Sequence, residues 1–76
     1  MPRFFFHIRH QDQTVPDPEG SDLPDLATAV AEATRSAREL MADELRHGPL
    51  TPGRSFEIVG DDGAVLATVA FQDCLH

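Results

Sequence analysis

One stretch constrains this chain more than any other. Apolar side chains return at Leu23, Leu26, Ala27, Val30, Ala33, Ala37, Leu40, Met41 and Leu45, the three- and four-residue spacing of a helix with one apolar stripe. The other side carries Thr28, Glu32, Arg35, Glu39, Asp43 and Arg46. Glu32–Arg35, Arg35–Glu39 and Asp43–Arg46 are opposite charges at helical spacing. Asp22 is positioned to cap the start, with Pro24 and Asp25 in the first turn, and Gly48 followed by Pro49 ends the run. Ala27, Ala33 and Ala37 would let such a helix lie close on a sheet. A single rod cannot bury its stripe alone, so the flanking residues must supply the surface it rests on.

Those flanks read as strands. Arg3 to Arg9 puts Phe4, Phe6 and Ile8 on one face and Arg3, Phe5, His7 and Arg9 on the other. After the polar turn His10-Gln11-Asp12-Gln13, Thr14-Val15-Pro16 is a short edge strand, because Pro16 has no N–H for a ladder. Asp17-Pro18-Glu19-Gly20 is a loop. Past Pro49–Gly53, Ser55–Val59 and Ala64–Phe71 form a hairpin through Gly60-Asp61-Asp62-Gly63. Two registers are open. A type I turn closed by Gly63 in the left-handed region pairs Ile58 with Leu66 and Phe56 with Thr68. A two-residue turn at Asp62-Gly63 pairs Ile58 with Ala67 and Phe56 with Val69. The tail from Gln72 to His76 is a fray or a cap.

The order β-β-α-β-β predicts one α+β domain over residues 1–76: a four-stranded, mostly antiparallel sheet, order 2-1-3-4, with one helix on one face. Phe4, Phe6, Ile8, Phe56 and Ile58 would meet the helix. Arg3, Phe5, His7, Arg9, Val59, Val69 and Phe71 would form the far face, with nothing in the chain left to cover them. An exposed apolar face or edge is normally buried against something, so this is the expected interaction surface, with a homodimer or a small protein partner on it.

Charge narrows the partners. Thirteen acids stand against six arginines and no lysine, a net charge of −7. That disfavours nucleic acid and anionic membrane, both of which bind through Lys and Arg. No apolar run approaches the ~18 residues of a membrane span. The single cysteine, Cys74, builds no disulfide framework, and a reducing cytoplasm is the expected compartment.

Little in the chain points to chemistry. His7 lacks the partner histidines of a metal site, and there is no His-x-x-x-His, Cys-x-x-Cys or His-Glu-x-x-His. Asp17, Glu19, Asp22 and Asp25 could hold Ca²⁺ or Mg²⁺, but turn formation and capping account for them without a cation. Cys74 beside Asp73 has no setting that would activate a thiol. Ser21, Ser36 and Ser55 sit in no nucleophile elbow. No catalytic residue, metal or cofactor is expected, and the chain reads as a non-catalytic self-associating or protein-interaction module. The rival is a ligand-binding or enzyme site at His7, with Arg3 or Arg9, between subunits.

Several segments carry a resemblance: Pro2-Arg3-Phe4-Phe5-Phe6-His7-Ile8, Asp17-Pro18-Glu19-Gly20, Leu23-Pro24-Asp25-Leu26, Glu32-Ala33, Arg54-Ser55-Phe56-Glu57-Ile58, Asp61-Asp62-Gly63 and Val69-Ala70-Phe71. Together they resemble a family of short uncharacterised alphaproteobacterial proteins classed as a domain of unknown function. The family's usual Asp-Gly turn after the first strand is His10-Gln11-Asp12-Gln13 in this chain. The resemblance implies a cytoplasmic bacterial protein and brings no catalytic residue with it. The shape of residues 3–47, a hairpin running into an Ala/Glu-rich helix, is also similar to the HicB-type antitoxin domain. That likeness implies an acidic protein with a small basic partner.

Overall fold

A computed structural model describes residues 1–75. These residues form β1 (Arg3–His10), β2 (Gln13–Val15), β3 (Ser21–Asp22), α1 (Leu26–Leu45), β4 (Arg54–Val59) and β5 (Val65–Ala70), then a short 3-10 turn, Phe71–Cys74. The class is α+β with one helix on an open antiparallel sheet, and the sheet has five strands where four were expected. Four of them run β2-β1-β4-β5, and the fifth, β3, pairs with β1 off that path. The expected count of four, and the numbering 2-1-3-4 built on it, are corrected accordingly. Ser21 and Asp22 escape a sequence reading because two polar residues carry no strand pattern. Only their pairing with Phe4 and Arg3 makes them one.

That pairing also moves the start of the helix. Asp22 is extended in β3, and the Leu23 N–H donates to the Pro2 carbonyl at 3.1 Å. Pro24 disfavours helical backbone at the residue before it, so the cap falls to Asp25, whose carboxylate accepts from the Thr28 N–H at 2.7 Å. The helix ends at Leu45 with Arg46 as its C-cap, ahead of Gly48. Glu32–Arg35, Arg35–Glu39 and Asp43–Arg46 form as expected, all exposed.

The buried face of α1 is narrower than the stripe in the sequence. Ala29, Ala33, Ala37 and Met41 are buried in a single four-residue row, whereas Leu26, Ala27, Leu40 and Leu45 are exposed. Three methyl groups in that row let the helix settle close against the sheet, where it packs on β4, β5 and the 3-10 turn. Phe4, Phe56, Ile58, Phe71 and Cys74 complete the core, with Phe6, Ile8, Ala67 and Val69 partly buried against it. β2 lies beyond the helix's cover. Val15, on the helix side through its register with Ile8, remains 63% exposed.

The hairpin combines the two alternatives. Its turn is the first: the Gly63 N–H donates to the Gly60 carbonyl, Gly63 has φ +83°, and Gly60 N–H donates to Ala64. Its register is the second: Ile58 pairs with Ala67 and Phe56 with Val69. A bulge opposite Ile58 and Val59 absorbs Leu66, the one residue by which the two schemes differ.

At the base of the fold Glu44 ties three segments together. It accepts from the Thr51 N–H at 2.6 Å and from the Arg54 guanidinium at 2.9 Å. The guanidinium carbon stands 4.7 Å above the Phe71 ring, whose face takes the cation. The buried Nε of Arg54 has no hydrogen-bond partner.

Candidate functional site

The residues expected to form one far-face surface divide into two groups. Arg3, Phe5, His7, Arg9 and Val59 do share the side away from the helix, since β1 alternates, Phe5 pairs with Val59 and His7 with Glu57. Val69 and Phe71 do not. Val69 pairs with Phe56 on the helix side, and Phe71 is buried in the core beneath Arg54. The bulge at Leu66 shifts the last strand by one residue, and a one-residue shift exchanges its faces.

The far face is also partly covered by the chain itself, against the expectation that nothing remained to cover it. The segment from Asp17 to Asp22 folds back along β1. A Cβ on Gly20 would lie 2.9 Å from the Phe4 carbonyl and 3.1 Å from the Phe5 ring, so only glycine, here at φ +71°, fits. Asp17 accepts from the Phe6 N–H at 3.1 Å, between the stretches of β1 paired with β3 and β2. Its other oxygen accepts from Gly20 and Glu19 N–H. The carboxylate thus stands in for a missing strand. By sequence Asp17 is one of a cluster of loop acids. The Asp-x-Glu-Gly spacing that lets one carboxylate fold the loop around itself was the available signal.

His7 belongs to the same knot. Its Nδ1 accepts from the Asp17 N–H at 3.0 Å, which places its proton on Nε2. Its ring stacks on Phe5, with centroids 6.3 Å apart. Arg3 is exposed and held by Asp22, at 3.2 Å, and by the Glu19 carbonyl. Arg9 faces Glu57 at 3.9 Å. Among the described residues no group of three or more His, Cys, Asp or Glu is placed to hold a metal ion. Three of the four loop acids that could have served as ligands are engaged elsewhere: Asp17 with β1, Asp22 with Arg3, and Asp25 with the helix.

The surface left open is the β5 edge. At the opposite edge β2 is three residues long and runs into Pro16, and β3 and Asp17 occupy the rest of that side of β1. β5 is six residues, Val65-Leu66-Ala67-Thr68-Val69-Ala70, without charge or proline, and β4 is its one strand neighbour among the described residues. Val65 and Leu66 are 55% and 45% exposed. On the far face a hollow of about 340 Å³ opens beside it, lined by Gly53, Arg54, Ser55, Thr68, Ala70 and Gln72. Asp61 and Asp62 precede the strand and Asp73 follows it, all exposed. The sequence offered a partial signal here, an apolar last strand with no gatekeeping charge. Its position at the sheet edge followed from topology.

The chain matches the model of a domain of unknown function (DUF6894) over residues 3–72. No curated protein and no solved structure gives a significant match.

Proposed function

We propose that this chain, which belongs to the DUF6894 family of domains of unknown function, is a non-catalytic protein-interaction module that works by strand addition at the β5 edge. One observation carries this reading: the two edges of the sheet are treated differently. The β2 side is shortened, stopped by Pro16 and filled in by Asp17 and β3, the devices that keep edges from pairing. The β5 side has six uncharged residues and, among the described residues, no strand beyond it, with the Ala70 carbonyl accepting from Cys74 Sγ at 3.5 Å. An extended segment laid along it would gain main-chain hydrogen bonds, with side-chain contacts setting specificity.

A photo-activated cross-linking residue placed at Val65, and separately at Thr14 in β2, tests the reading in living cells. Adducts are expected from position 65 and not from position 14. Thr68→Lys should abolish them while leaving the fold intact, because the new ammonium faces Glu57 across the ladder, a cross-strand pair worth about 0.5 kcal/mol to the monomer. Equal adducts from both positions, or adducts that persist in Thr68→Lys, would refute the assignment.

A further inference from the structure

The partner class follows from the charges around the edge, and rests on the strand-addition reading above. Acids stand at both ends of β5, Asp61 and Asp62 at one and Asp73 at the other, the last beside Arg38, whose guanidinium donates to the Cys74 carbonyl at 2.8 Å, in a chain of net charge −7. Counted along the chain, Asp62 and Asp73 are equally far from the centre of Val65–Ala70, each in the turn just outside the strand. An antiparallel two-fold pair of β5 edges would therefore set Asp62 of each copy towards Asp73 of the other, twice, and bring two strongly acidic molecules together. Like charges so placed oppose association. The same acids, within a chain of net charge −7, attract a strand with cations at its ends. The Leu66 bulge leaves Ala67–Ala70 as the regular part of the ladder, which sets the length of guest that pairs without distortion. The far-face hollow lies against Thr68 and Ala70 and has room for one of the guest's side chains. Arg54 at its wall is already paired with Glu44.

We propose that β5 accepts, as an added strand, an extended segment of another protein about four residues long with Lys or Arg at both ends.

Synthetic peptides with a Val-Thr-Val-Thr centre test this by NMR titration of the intact chain. One is flanked by two lysines at each end, a second by two glutamates, and a third keeps the lysines but has proline within the centre. The lysine peptide should shift and protect the Val65–Ala70 amides. The glutamate peptide should bind at least about tenfold more weakly, and the proline peptide should leave β5 unmoved. The triple substitution Asp61→Asn, Asp62→Asn and Asp73→Asn should weaken the lysine peptide by a similar factor. The hairpin should be retained, because the side-chain amide oxygen in Asp62→Asn keeps an acceptor for the Ala64 N–H. Binding of the proline peptide as strong as that of its parent would reduce the effect to charge attraction and overturn the proposal. Equal binding of the glutamate peptide, or a peptide-free dimer paired through β5, would overturn the basic-partner assignment while leaving the edge as the working surface. No β5 response to any peptide, together with no adducts from Val65, would remove both.

Discussion

At the scale of single residues, backbone conformation and capping decide more than bulk. Gly20 is pressed against the Phe4 carbonyl at a positive φ. Gly20→Ala should lower stability by about 2 kcal/mol, from strain and the forced retreat of the loop, read as a lower urea midpoint. Gln11 presents the converse case. It holds φ 56° in the β1–β2 turn, a conformation glycine adopts freely, so Gln11→Gly should raise stability by about 0.5 kcal/mol. Asp25 gives the helix start a pH dependence. Its hydrogen bonds to Thr28, side-chain first and then backbone, hold its carboxyl below the ordinary carboxylate value. Its contribution is therefore complete above the unfolded-state pKa and is lost as pH falls through the lower folded one. Circular dichroism of wild type and Asp25→Ala should show less helix stability in the variant at neutral pH, with the difference closing in acid.

At the scale of elements, the hairpin shows what local sequence determines and what it leaves open. Gly63 specified the turn, and the apolar pattern of β4 specified which of its side chains face the helix. Neither could specify Leu66, because both faces of the last strand are apolar and either register buries something. The bulge makes a sharp prediction. Deleting Leu66 should leave Ile58 opposite Ala67 and Phe56 opposite Val69, now in an unbroken ladder, so the same cross-strand NOEs should survive. Deleting Thr68 would instead keep Val69 opposite Phe56 only by closing the bulge, so the Ile58–Ala67 NOE should be replaced by one between Ile58 and Leu66. The helix was legible for a related reason: its period is long enough to average over single residues. Its cap was not, because Asp22 and Asp25 are chemically equivalent and only the β3 pairing with Arg3 and Phe4 assigns one to the sheet. That Phe5, His7 and Val59 share the face away from the helix was legible. Its cover by a polar loop was not, since the fit of Gly20 and Asp17 against β1 leaves no mark on hydropathy.

At the scale of the whole molecule, one helix over five strands leaves a thin core, and thirteen acids against six arginines surround it. Self-repulsion is a general cost of such a balance and is screened by salt. Raising ionic strength from ~20 mM to ~0.5 M should therefore raise the melting temperature in calorimetry, although it also weakens the exposed pairs along α1. A fall in melting temperature would mean that those pairs outweigh the net repulsion. The row of Ala29, Ala33, Ala37 and Met41 bears on this molecule's history. Where methyl groups alone set the spacing between two layers, mutational drift at three consecutive turns is confined to the smallest side chains, while the outer helix surface can change almost freely. Distant kin would then share a rhythm of tiny residues long after their overall identity had faded.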